Sequence, residues 1–169
     1  MVTGGVFIGL GSNLGDRSRH IRDALRELAE AGDIRVVACS RLHETEPVGG
    51  PPGQPRFLNA VAELATELEP RALLLRLLAI EARHGRRRGV PNGPRTLDLD
   101  LLIHRAAVVD EPDLVVPHPR LCEREFVLRP LAEICTPARW AALRLPPRPD
   151  PAEAPAHVPR CGSRATTLA

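Results

Sequence analysis

Aromatic side chains are nearly absent from this 169-residue chain, which carries three phenylalanines, one tryptophan and no tyrosine. Phe7, Phe57, Phe126 and Trp140 cannot supply a platform that stacks several unpaired bases, so sequence-reading of single-stranded RNA is disfavoured. There is no Cys-x-x-Cys pair. Cys39, Cys122, Cys135 and Cys161 are widely spaced, which argues against a zinc or disulfide framework and fits reduced thiols in a cytoplasm. No apolar run approaches the ~20 residues of a membrane-spanning helix. Met1 to Gly5 bear no charged side chain ahead of the first apolar segment, so a secretory signal is not expected. Net charge is only +2 and no repeat is evident, so bulk charge points to neither nucleic acid nor membrane.

What is present is ordinary globular composition, 43% apolar and 26% charged, in a length that suits one domain with one substantial core. Within it, Leu97-Asp98-Leu99-Asp100-Leu101-Leu102 places two carboxylates two residues apart in an apolar run. On a strand, Leu97, Leu99, Leu101 and Ile103 share one face, while Asp98 and Asp100 share the other, roughly 6.5–7 Å apart at the backbone. Such a pair is either a solvated strand face or a site for hard divalent cations, which keep positions open for water and substrate phosphates. Four arginines, Arg83, Arg86, Arg87 and Arg88, crowd just upstream. The basic, flexible loop 86–94 delivers the chain to the aspartate strand, where mobile guanidinium groups could clamp a polyphosphate.

Residues 6–10 read as a buried strand, followed by a glycine-rich turn to Asp16, a helix cap. Ile21, Ala24, Leu25, Leu28 and Ala29 recur at helical spacing and Gly32 closes the helix. Gly9, Gly11 and Gly15 are spaced one residue too widely for a dinucleotide fingerprint. After a second strand at 34–39, residues 43–55 hold too much proline and glycine for regular structure and form a long loop, functional or disordered. It ends on a strand over 57–64, where Leu58, Ala60, Ala62 and Leu64 share one face and Phe57 and Asn59 the other. A ring beside an amide suits a flat, hydrogen-bonding heterocycle, although each also fits an ordinary structural role.

Pro70 opens a helix carrying Leu74, Leu77, Leu78 and Glu81 at helical spacing, and Gly85 ends it. A short strand at 114–116 leads to His118, held between two prolines. Phe126 supplies a second ring that could cover a heterocycle stacked on Phe57. A helix is expected over 127–134. Seven prolines fall between Pro137 and Pro159 with no apolar periodicity after about Leu145, which predicts a core domain over 1–135 and a flexible extension over 136–169.

Four segments in order, Gly9 to Asp16, Phe57-Leu58-Asn59-Ala60, Gly93 to Leu102 and Val116-Pro117-His118-Pro119-Arg120, jointly resemble the 6-hydroxymethyl-7,8-dihydropterin pyrophosphokinases of folate biosynthesis over about residues 6–134. The resemblance implies a ferredoxin-like α+β sandwich, mainly antiparallel. Small-molecule substrates follow from the resemblance, and a cytoplasmic monomer with neither nucleic acid nor membrane as partner is expected. The implied reaction moves the diphosphate of ATP onto the pterin's hydroxymethyl oxygen and releases AMP. By the same resemblance Asp98 and Asp100 hold two Mg²⁺ ions; Phe57 and Phe126 sandwich the pterin, whose edge Asn59, Thr45 and Val48 read. Glu81, Arg88, His118 and Arg124 form the ATP-side set, and Arg86 and Arg95 assist transfer. This chain departs from the family at Asn92, where tryptophan is usual, and at Glu46, Asp113 and Glu125; its arginine loop is about one residue short. A small RNA-binding module with a ferredoxin-like sheet and an arginine loop is the alternative; it requires exposed sheet aromatics.

Overall fold

The computed structural model describes residues 5–87 and 89–153. Among the described residues seven strands and four α-helices follow one another: β1 Val6–Ser12, α1 Arg17–Glu30, β2 Ile34–Cys39, β3 His43–Thr45, β4 Phe57–Thr66, α2 Pro70–Arg83, β5 Asp98–His104, β6 Val109–Glu111, β7 Leu114–Val116, α3 Glu125–Ile134 and α4 Pro137–Ala142. Every pairing is antiparallel, and the main sheet runs β2-β4-β1-β5 with β3 also on β4. With α1 and α2 as the crossovers, this is the ferredoxin-like β-α-β-β-α-β order.

One sheet face carries Ile8, Leu10, Ala60, Ala62, Leu64, Leu99 and Leu101, packed against Ile21, Leu25 and Leu28 of α1 and Leu73, Leu77 and Ile80 of α2. The opposite face carries Phe7, Val61, Leu102 and Ile103 against Val127, Leu128 and Leu131 of α3 and Trp140 of α4. Asp16 caps α1 through its carboxylate, which accepts from the Arg19 amide at 3.1 Å. Gly32 turns the chain out at φ 81°, a left-handed value that glycine adopts without strain.

Four local expectations change. Ile103 leaves the Leu99–Leu101 face: the register slips from Phe7 opposite Ile103 to Ile8 opposite Leu101, so Leu102 is bulged and the alternation resets beyond it. On α2 the buried stripe is Leu73, Leu77, Ile80 and Glu81, with Leu74 only partly covered. Leucines surround this helix, so spacing alone permits more than one phase and packing selects one. The loop 43–55 opens with a strand, since His43–Thr45 pairs with Phe57–Asn59 and closes the segment as a wide hairpin.

The fourth change concerns the flexible extension, which does not begin at 136. Thr136 caps α4 by accepting from the Arg139 amide at 3.3 Å, and Trp140 is buried in the second core. Arg139 clasps the buried Glu63 carboxylate at 3.0 and 3.1 Å and lies over the Phe7 ring at 5.1 Å. Further on, Arg148 donates to the Ala132 carbonyl at 2.6 Å. One tryptophan and two arginines thus anchor a segment too short for periodicity to reveal. Residues 154–169 and Cys161 lie outside the described residues.

Candidate active site

A trough crosses the α3 side of the sheet, and its shape follows from the register. Gly9 lies between Val61 and Asp100, and Gly11 between Asn59 and Asp98. Directly opposed residues in antiparallel strands face the same way, so the central strand contributes two glycines to a row flanked by functional side chains. A Cβ at Gly11 would come within 3.0 Å of the Asn59 Oδ1 and 3.8 Å of the Phe57 ring. Two of the three glycines read against a dinucleotide fingerprint, Gly9 and Gly11, are the floor of this cleft. One wall is β4, with Phe57 and Asn59; the other is β5, with Asp98 and Asp100.

On the β4 side, Asn59 is buried and its amide donates to the Thr45 hydroxyl at 2.6 Å, so the β3–β4 pairing sets its orientation. Phe57, Thr45, Val48 and Phe126 all line the cleft. The two rings come from different elements, β4 and the first turn of α3, and each carries a guanidinium: Arg95 lies 5.7 Å from the Phe57 centroid and Arg124 5.6 Å from that of Phe126.

The β5 side is a charge network. Asp98 accepts from Arg86 at 2.6 Å through Oδ1 and from Arg95 at 2.9 Å through Oδ2. Asp100 accepts from Arg124 at 3.3 Å. Behind them Glu81, at the end of α2, accepts from Arg86 and from the Leu99 amide at 2.7 Å, fixing the strand between the two aspartates. Burial pushes the Glu81 carboxyl above its ordinary value. Burial, reinforced by the charge of Asp98, pushes Asp100 up to about 6. Arg86 is held more strongly protonated by Asp98 and Glu81, which outweigh the burial that opposes them. Three carboxylates thus meet three guanidinium groups, Arg86, Arg95 and Arg124, and it is burial first, then the charge of Asp98, that works against an ionised Asp100.

Of the ATP-side residues expected from sequence, Arg124 lines the cleft with Arg86 and Arg95, whereas Glu81 and His118 do not. Glu81 is beneath the arginine loop. His118 is fastened by its own amide to the Leu102 carbonyl at 2.8 Å and by Nδ1 to the Arg120 amide at 3.1 Å, and burial lowers its basicity. Arg88 lies outside the described residues. Arg120, Glu46 and Asn92 line the cleft with no role foreseen for them. Their signal was weak: Arg120 was readable only as part of a Pro-His-Pro-Arg run.

A model of the 7,8-dihydro-6-hydroxymethylpterin-pyrophosphokinase family matches residues 7–136. The chain belongs to this family. It is 46% identical over 129 residues to the 2-amino-4-hydroxy-6-hydroxymethyldihydropteridine pyrophosphokinase of Bacillus subtilis, covering 76% of this chain and 77% of that one. The Pseudomonas aeruginosa protein of the same name is 45% identical over 134 residues, covering 79% and 82%. A mitochondrial folate synthesis bifunctional protein of Arabidopsis thaliana is 44% identical over 149 residues, which are 84% of this chain but 26% of the plant protein. The family's reaction is pyrophosphoryl transfer from ATP to the hydroxymethyl pterin in folate synthesis, and the chain is an ATP-using diphosphokinase of that kind. Membership also sets aside the RNA-binding alternative.

Proposed function

We propose that the trough is where this transfer occurs, with the pterin on the Phe57–Asn59 wall and the polyphosphate on the Asp98–Asp100 wall. The observation that carries this is the glycine floor, which leaves an open row between a ring-and-amide surface and a pair of carboxylates. The pterin slots between Phe57 and Phe126, and Asn59, Thr45 and Val48 meet its edge. Arg86 and Arg95 hold the transferring phosphates, and Arg124 works with Glu81, Arg88 and His118 on the nucleotide side.

Asp98 and Asp100 suit two Mg²⁺ ions. The donors are oxygens only, and the two side chains share one strand face and line the cleft together. Among the described residues no group of three or more acidic, histidine or cysteine side chains could hold a metal, so these ions would lean on substrate phosphate and water for their other positions, as Mg²⁺ ordinarily does. Bound Mg²⁺ would supply charge neutralisation to the transferring phosphates. The chain's own share is geometric. The hydroxymethyl oxygen, held by the pterin wall, faces the β-phosphorus in line with departing AMP, and the arginines stabilise charge as the bond breaks. The protein acts on small molecules as a monomer in the cytoplasm, where cysteines this widely spaced, with no Cys-x-x-Cys pair, suit a reducing medium.

The direct test is to incubate the protein with ATP, Mg²⁺ and 6-hydroxymethyl-7,8-dihydropterin and follow nucleotide. Stoichiometric AMP with pterin diphosphate is expected. ADP, or ATP left intact, contradicts the proposal.

A further inference from the structure

A buried amide outside the cleft joins three segments that the transfer must bring together. Asn13, just past the end of β1, is 2% exposed. Its Oδ1 accepts from the Arg95 amide at 2.8 Å, and its own amide donates to the Arg95 carbonyl at 3.1 Å. Its Nδ2 donates to the Pro55 carbonyl at 3.1 Å and to Gln54 Oε1 at 3.3 Å. Gln54 then spends its Nε2 on the Asn92 carbonyl at 3.0 Å and the Gly49 carbonyl at 3.3 Å. The loop 46–56 and the loop 86–94 meet there: a Cβ at Gly50 would collide with the Asn92 carbonyl, and Asn92 itself sits at φ 54°. Asparagine tolerates that left-handed backbone better than most residues, tryptophan included.

We infer that Asn13 and Gln54 are positioning residues that clamp Arg95 between Asp98 and the Phe57 ring and tie the two cleft loops into one moving unit. Arg95 is the residue to which this matters most, because its guanidinium meets Asp98 on one wall and Phe57 on the other. Its backbone is anchored on both sides by a single buried side-chain amide and main-chain pair. Through Gln54, displacement of the loop beside the pterin wall is carried to the loop that bears the arginines. Occupancy of one half of the cleft is thereby felt in the other, a coupling that is reciprocal. The inference rests on the two-walled reading of the cleft given above.

Two isosteric variants test it. Gln54→Glu keeps the acceptor for Asn13 but sets a carboxylate against the Gly49 and Asn92 carbonyls, severing the loop-to-loop link at a half-buried position outside both cores. Asn13→Asp keeps the acceptor for the Arg95 amide and loses the two donor bonds to Gln54 and Pro55. Affinity for a non-hydrolysable ATP analogue with Mg²⁺ is measured with and without the pterin, alongside kcat, both KM values and the melting temperature. In the natural protein each ligand is expected to tighten the other several-fold, as for coupled sites generally. In Gln54→Glu that factor falls to near one and kcat drops about tenfold, with the ATP KM within twofold and the melting temperature unchanged; Asn13→Asp loses the same coupling. Coupling and kcat retained in Gln54→Glu overturn the inference, as does a natural protein that binds both ligands without coupling. A natural protein that binds neither ligand overturns the two-walled reading as well.

Discussion

Replacing Asp100 by asparagine should stabilise the ligand-free protein while destroying its activity, and the size of the gain follows from the site. Asp100 is raised from 3.8 to about 6, chiefly by burial and then by the neighbouring charge of Asp98, even with Arg124 opposing. At about 1.36 kcal/mol per pH unit this is worth about 3 kcal/mol. The side chain keeps 34% of its surface exposed, so solvent screening reduces the figure to about 1–2 kcal/mol. The sign is that of a raised carboxyl. The folded state holds this proton more tightly than the unfolded chain, so the contribution is fully present below pH 3.8 and is lost as the pH climbs through about 6. Asp100→Asn relieves the charge, and its advantage should be absent well below pH 3.8, about half developed near pH 5, still growing through about 6 and constant above about pH 7. Thermal melts at pH 8 without Mg²⁺ should show a rise of roughly 3–6 °C for a chain of this size. Added Mg²⁺ should stabilise the natural protein through its bound form and leave the variant unmoved. A variant less stable than the natural protein at pH 8, or a difference independent of pH, refutes the idea that this carboxylate is held at a cost.

Gly11→Ala, which puts a methyl within 3.0 Å of Asn59 Oδ1 at an ordinary strand backbone, should raise the pterin KM at least tenfold and leave ATP binding within twofold, measured by titrating each ligand separately. Trp140→Ala should cost about 3–5 kcal/mol in urea unfolding, because the indole is buried in the second core; a flexible tail would make it neutral.

The sheet was readable in advance where alternation was clean. β2 and β7 fall on the expected residues, and the helical spacing of Ile21, Ala24, Leu25 and Leu28 identified the buried face of α1. Asp98 and Asp100 were legible as a pair because strand period alone puts them on one side. What escaped depended on pairing partners. The bulge at Leu102 and the phase of α2 are decided by contacts with β1 and the sheet, which no local pattern encodes. β3 is three residues long and exists because β4 extends past β2 to receive it. The glycine floor had no signal of its own, since a missing side chain means something only once Asn59 and Asp98 are known to flank it. Asn13 was visible only as a letter in a turn; its role needs Arg95, Gln54 and Pro55, which are distant in the chain. The docked α4 did leave a trace in Thr136 and Pro137, a cap followed by proline at the first turn.

If Asp98 and Asp100 hold the metal on which transfer depends, neither carboxylate can be removed without loss of AMP release. Release of AMP from ATP, Mg²⁺ and 6-hydroxymethyl-7,8-dihydropterin by Asp98→Ala and Asp100→Ala, each with its circular dichroism and melting intact, measures it most directly. Both variants should release AMP at less than about a thousandth of the natural rate, in keeping with the size of transition-state charge stabilisation lost. Turnover retained in both would show that the metal lies elsewhere.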